Sequence, residues 1–123
     1  MRAALALALA LSAGLGSTAC PAGEADVIDA KVHRTAAGTY DFSVTVRSID
    51  RGWDHYADAF EILAPDGRLL GRRVLLHPHE DEQPFTRELL GVAIPAGTEK
   101  VTIRARHKPR GYDGRALEVA LPK

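Results

Sequence analysis

Cysteine is almost absent from this sequence of 123 residues, in which Cys20 is the single example. One cysteine cannot form an intramolecular disulfide, so the folded state must depend on a hydrophobic core. A domain of roughly 100 residues is large enough to be stable on that basis. An excess of one charge is also lacking, because 16 Lys and Arg residues balance 16 Asp and Glu residues. Without a basic block or stripe, nucleic acid is a poor partner, and so is a membrane surface attracted by polybasic charge.

Long apolar runs are missing apart from one at residues 3–15. This run is too short for a comfortable membrane span, but it has the length of a signal-peptide core. The small residues Ser17 and Ala19 precede Cys20, as signal peptidase requires. We therefore predict a signal peptide at residues 1–19, or as far as residue 22, followed by an exported soluble domain at residues 24–123. The alternative is a lipoprotein anchored in the membrane at Cys20, although a lipobox normally has Leu where Ser17 lies.

Recognisable catalytic motifs are missing as well. The chain has no Gly-x-Ser-x-Gly, no Cys/His nucleophile pair, no phosphate-binding glycine loop and no His-Glu-x-x-His. Ser48, Asp54 and His55 have the chemistry of a triad, but neighbours on one loop seldom reach its geometry. We therefore predict that the protein is not an enzyme.

What the chain does have is strand periodicity. Residues 40–47 carry apolar side chains at even positions and polar ones at odd positions, which indicates a half-buried strand. A helix is an alternative at residues 54–63, but the following Pro65-Asp66-Gly67 turn favours a hairpin. Short strands separated by turn signals every eight to twelve residues predict an immunoglobulin-like antiparallel β-sandwich of about seven strands, with a small barrel as the alternative. The other predicted strands are residues 25–32, 57–64, 68–76, 85–92, 101–106 and 116–121, with Ala57, Ala59 and Glu61 expected on one face.

Strand parity predicts where a binding site would lie. Successive strands of an antiparallel sandwich run in opposite directions, so loops 48–56, 77–84 and 108–114 should share one end. These are the chemically rich loops of the chain, and loops on a rigid sandwich commonly carry binding.

His77-Pro78-His79 is the sharpest local motif. Pro78 favours an extended backbone, in which residues two apart face the same side and could bind one ion. Imidazole suits copper or zinc, and His55 or an acid could supply a third ligand. The structural alternative is that one histidine packs on an aromatic ring while the other is solvated.

A second hypothesis makes the same end a site for a periplasmic partner protein. The exposed anchor would be aromatic, with acids and Arg87 around it. Trp53 also has a structural explanation as core or rim packing of a sandwich. The residues proposed for this binding patch are Trp53, Asp54, Tyr56, Glu80, Glu82, Phe85, Arg87, Tyr112 and Asp113.

Three segments together resemble a family of small exported proteins found chiefly in Gram-negative bacteria. They are Gly52-Trp53-Asp54-His55-Tyr56-Ala57-Asp58, the stretch from Val74-Leu75-Leu76-His77-Pro78-His79 to Glu82-Gln83-Pro84-Phe85-Thr86-Arg87, and Ile94-Pro95-Ala96-Gly97. The resemblance covers nearly all of the exported chain and implies a compact β domain in the periplasm. The family has no established activity, so the resemblance implies no functional residues.

Overall fold

The computed structural model describes residues 23–123, which form seven strands and no helix. The strands are β1 (Ala25–Arg34), β2 (Tyr40–Ser48), β3 (Tyr56–Leu63), β4 (Leu69–Val74), β5 (Phe85–Val92), β6 (Lys100–Lys108) and β7 (Leu117–Ala120). One sheet has the order β1-β2-β5 and the other β4-β3-β6-β7, and every pairing is antiparallel. The predicted β-sandwich is confirmed, and residues 56–63 are a strand instead of the alternative helix.

The hydrophobic core lies between the two sheets. Phe42, Val44 and Val46 of β2 are at most 1% exposed, in keeping with the alternation of that strand. They pack in one cluster with Phe60 of β3 and Phe85 of β5. Full burial of a side chain such as Val or Phe stabilises a fold by about 1.5–3 kcal/mol. This core determines which face of each sheet points inward, and it therefore determines where the loops at the ends of the strands lie.

A bulge in β3 changes which of its residues face the core. The register with β6 shifts between Ala57 and Ala59, so one extra residue is accommodated there. As a result Ala57 belongs to the core cluster together with Phe60 and Ile62. The sequence pattern, which placed Ala57 on the same face as Ala59 and Glu61, was wrong because alternation alone does not reveal a bulge.

The connections β2–β3, β4–β5 and β6–β7 share one end of the sandwich, which we call the loop end. The start of β1 lies there too, because Ala25 pairs with Ser48 at the close of β2. The opposite end has tighter turns, including the one in which the Ala64 N–H donates to the Arg68 carbonyl at 2.8 Å. Gly67 has a φ of 92° in that turn, a conformation in which glycine has no steric cost. Among residues 23–123 no helix is long and apolar enough to cross a membrane, and the predicted signal segment lies outside them.

Candidate binding groove at the loop end

A groove of about 450 Å³ opens at the loop end. Trp53 of the β2–β3 loop lines one part, and residues 77–82 of the β4–β5 loop line the rest. We call this feature the groove. It joins the two loops that carry the densest chemistry in the sequence.

A buried carboxylate, Asp50, holds the two loops together. Its Oδ2 accepts a hydrogen bond from the His79 backbone N–H at 2.7 Å. Its Oδ1 accepts hydrogen bonds from the Ser48 hydroxyl at 2.7 Å and the Ala57 N–H at 3.1 Å. The Asp50 side chain has no exposed surface, so water cannot replace these donors without a structural change. Asp50 therefore fixes the β4–β5 loop against the start of β3.

Gln83 makes the second connection between the loops. Its Oε1 accepts from the Ser48 backbone N–H at 2.8 Å, and its Nε2 donates to the His79 carbonyl at 2.8 Å. The same Nε2 lies 3.2 Å from the Ser48 hydroxyl. Ser48, Asp50, His79 and Gln83 thus form what we call the loop-end network. Such a network specifies one loop conformation because each buried polar partner depends on the others.

The His79 ring lies below the groove surface and is nearly sealed from solvent, with 4% of the residue exposed. It stacks on Phe85 with centroids 4.0 Å apart and planes at 11°. Arg87 Nη2 lies 3.0 Å from His79 Nε2. A guanidinium only donates, so Nε2 accepts and carries no proton. Burial, followed by the charges of Arg87 and His77, lowers the pKa of His79 below its ordinary value.

The predicted metal ligands are only partly brought together. The His77 and His79 rings approach to 4.4 Å between centroids, but His79 Nε2 is already paired with Arg87. His55 makes backbone turn bonds with Arg51 and Gly52 instead of lining the groove. Within residues 23–123 no group of three or more His, Cys, Asp or Glu side chains is placed to hold a metal ion. The copper or zinc site therefore stays a prediction without a third ligand.

The predicted binding patch is divided by the structure. Trp53 is 62% exposed and lies edge-on to Tyr56, with centroids 5.7 Å apart. It is therefore a surface residue, not the core residue that its position beside a strand also suggested. Glu80 and Glu82 line the groove, and Arg87 contacts Glu82 at 3.2 Å.

The other members of the predicted patch lie elsewhere. Phe85 is 1% exposed, so its inclusion in a surface patch was wrong; its ring fills the core below His79. Asp54 is exposed beside Trp53 but does not line the groove. Asp113 accepts from the Glu24 N–H at 3.3 Å on the side of β1. Tyr112 turns to the outer face of the four-stranded sheet.

That outer face holds a charged cluster that sequence analysis missed. The Glu61 carboxylate is fully buried, and its two oxygens accept from Arg72 Nε at 2.7 Å and Arg104 Nε at 2.9 Å. The Tyr112 hydroxyl donates to it at 3.0 Å. Burial by itself raises the pKa of Glu61, but these hydrogen bonds outweigh it and the pKa lies below the ordinary value. The signal that could have revealed this cluster is the placement of opposite charges side by side on β4, β3 and β6. That placement is known only once the register of the three strands is known.

Comparison with known proteins yields little. No known protein family matches the sequence. No solved structure matches it. The chain is 38% identical over 96 residues to a protein from Halomicrobium mukohataei that is provisionally named a lipoprotein. The match covers 78% of this chain and 47% of the relative, so the chain spans about half of that protein's length. This relative is archaeal and does not bear on the resemblance to a Gram-negative family, which stays a prediction.

Proposed function

We propose that this protein is a non-enzymatic binding domain of the cell envelope that holds a partner protein in the groove. The observation that carries the proposal is the exposed Trp53 beside a groove whose walls are fixed by the loop-end network. A large exposed aromatic on a folded domain is a typical anchor of a protein interface. Acidic residues around it would give the site selectivity for its partner.

The loop-end network supports binding because it orders the groove in advance. Association has an entropic cost when loops must be immobilised, and this cost is smaller when the loops are already held. Asp50 and Gln83 fix the β4–β5 loop through the backbone of His79. The groove can then present its acids at fixed distances from Trp53.

The location that we propose is the outer side of a membrane, with the protein attached through a lipid on Cys20. The apolar run at residues 3–15 and the small residues before Cys20 support export. The provisional lipoprotein name of the archaeal relative supports the lipid attachment over the soluble alternative. The periplasm remains the prediction if the source is Gram-negative. Mass spectrometry of the mature N-terminus tests this location, and an unmodified Cys20 or cleavage after it would contradict it.

Site-specific photo-crosslinking tests the binding function. A photo-reactive residue replaces Asp81 at the groove, and a matched variant carries it at Asp66 in the turn at the opposite end. We expect a discrete adduct from position 81 and none from position 66. Adding Trp53→Ala should abolish most of the adduct, because loss of a central aromatic anchor commonly costs about 2 kcal/mol, or roughly 30-fold in Kd. No adduct at position 81, or one unaffected by Trp53→Ala, would contradict the proposal.

A divalent metal ion is a second candidate, favoured by the closeness of the His77 and His79 rings. Binding through both imidazoles would require Arg87 to leave His79 Nε2. Calorimetric titration with copper or zinc tests it on the folded domain. Stoichiometric binding that disappears in His77→Ala would support this candidate, and its absence in the unchanged protein would end it.

A further inference from the structure

The chain enters the sandwich at the loop end. Ala25, at the start of β1, pairs with Ser48, and the Ile49 N–H donates to the Glu24 carbonyl at 3.0 Å. The Glu24 carboxylate also faces Arg51 of the β2–β3 loop at 3.6 Å. The segment that leads to Cys20 therefore departs from the end of the molecule that carries the groove.

This start of β1 is firmly held. The Asp26 side chain is buried, and its Oδ1 accepts from the Gly23 N–H at 2.9 Å and the Arg115 N–H at 2.7 Å. Gly114 packs so closely that a Cβ there would collide with the Ala25 carbonyl oxygen. Residue 23 is consequently a fixed point of the domain.

Chain length limits how far Cys20 can lie from that fixed point. Cys20 is three residues before Gly23, and even a fully extended chain covers no more than about 11 Å over that interval. The two ends of the sandwich, by contrast, are separated by the nine residues of β2, or about 30 Å. Across the sheet, β1 and β5 lie on either side of β2, only about 10 Å apart. The start of β1 is therefore close to the groove loop that leads into β5. A lipid on Cys20 would thus hold the groove much closer to the bilayer than the opposite end.

We propose that the lipid-anchored domain faces the membrane with its loop end, and that the groove binds a cationic segment of a membrane protein close to the bilayer surface. This rests on the lipid attachment and groove proposed above. Glu80 and Asp81 line the groove and form no ion pair within the described part of the chain. Trp53 adds an exposed indole that can bind Lys or Arg through its face. The carboxylates repel an anionic lipid surface, so a basic protein segment is the better occupant.

Energy transfer to a labelled membrane tests the orientation. The full chain, processed and lipidated in cells, is reconstituted in vesicles with acceptor dye on the lipid headgroups. Asp54→Cys at the loop end and Asp66→Cys at the opposite end each carry the donor; Cys20 is the only other cysteine, and its thiol is blocked by the lipid. We expect several-fold higher transfer from position 54 than from position 66. A long Gly/Ser insertion between Ala22 and Gly23 should bring the two values together.

Three results would overturn this orientation. Equal transfer from both positions, or higher transfer from position 66, would contradict it while leaving the lipid attachment intact. Failure of the unlabelled protein to associate with vesicles would instead contradict the lipid attachment, and the orientation with it. The two proposals can therefore fail separately.

The fluorescence of Trp53, the single tryptophan of the chain, tests the occupant. Vesicles of zwitterionic lipid carry either a lipid-anchored Lys-rich peptide or its Glu-rich counterpart. We expect the Lys-rich peptide alone to change the emission, and the change to weaken at least several-fold in Glu80→Lys but not in the control Asp66→Lys. An equal response to peptide-free anionic vesicles would identify a lipid surface as the occupant and overturn this part of the proposal.

Discussion

The loop-end network predicts that Asp50 is the residue on which the groove depends most. Asp50→Ala removes the acceptor of three hydrogen bonds, from Ser48, Ala57 and His79. Each hydrogen bond to a charged acceptor contributes about 1.5–3 kcal/mol, and the donors left behind are unsatisfied. Because the loops can relax and admit water, the expected loss in the free energy of unfolding is about 3–5 kcal/mol, which is a large part of a typical total of roughly 5–15 kcal/mol.

Asp50→Asn gives a finer version of the same experiment. The amide retains one acceptor oxygen but directs its NH2 group at donors on one side. We therefore expect about half of the loss in the free energy of unfolding that Asp50→Ala causes. Asp66→Ala is the matched control, because within residues 23–123 the Asp66 side chain accepts a single hydrogen bond, from the Arg68 N–H in an exposed turn. We expect this variant to lose less than about 1 kcal/mol in the free energy of unfolding. Urea denaturation followed by circular dichroism measures all three variants.

Hydrogen exchange shows whether the loss is local to the groove. In Asp50→Asn the amides of Ala57 and His79 should lose protection, whereas that of Ile103 in the centre of β6 should keep it. If the free energies of unfolding of Asp50→Ala and Asp66→Ala differ by less than about 0.5 kcal/mol, the network does not hold the loops and the reasoning fails.

Three further predictions concern the two histidines of the β4–β5 loop and the charged cluster on the outer face. The lowered pKa of His79 means that its neutral form stabilises the fold fully above pH about 6.5, and that this contribution is lost as the pH falls through the lower pKa of the folded state. The urea midpoint of the unchanged protein should fall as the pH is lowered, and the fall should be smaller in His79→Gln. The same dependence of the midpoint on pH in both proteins would refute this prediction. Glu61→Ala should lower the free energy of unfolding by about 3 kcal/mol, because it leaves two arginines without their buried partner. A decrease of less than about 1 kcal/mol by the same assay would contradict the cluster's structural role. Because residues 23–123 place no third ligand beside His77 and His79, we expect calorimetry to detect no stoichiometric zinc binding that depends on His77. Zinc binding that is lost in His77→Ala would contradict this and would show that Arg87 leaves His79 Nε2 to the metal.

The fold was predictable because its strongest signals are local. Alternation along residues 40–47 and the Pro65-Asp66-Gly67 turn each depend on neighbours in sequence, and both are present in the structure. Strand parity then placed the rich loops at one end without any distance information. Parity needs only the number of strands, so small errors in strand boundaries did not affect it.

The site itself was less predictable because its contacts join distant residues. Asp50 binds the backbone of His79, 29 positions away, and nothing in a run of Ser, Ile, Asp and Arg distinguishes this aspartate from a solvated one. Phe85 was grouped with Trp53 and Tyr56 in an aromatic surface patch, whereas its side chain is buried in the core. Glu61 required the register of three strands. Motif density located the groove, but only tertiary contacts show how it is built.

Photo-crosslinking from position 81 in living cells tests the central claim, that the groove is a binding site anchored by Trp53, most directly. The structure predicts a discrete adduct that requires Trp53, with none from the matched position 66. An adduct of equal strength from both positions, or one that persists in Trp53→Ala, would show that the groove is not the binding site.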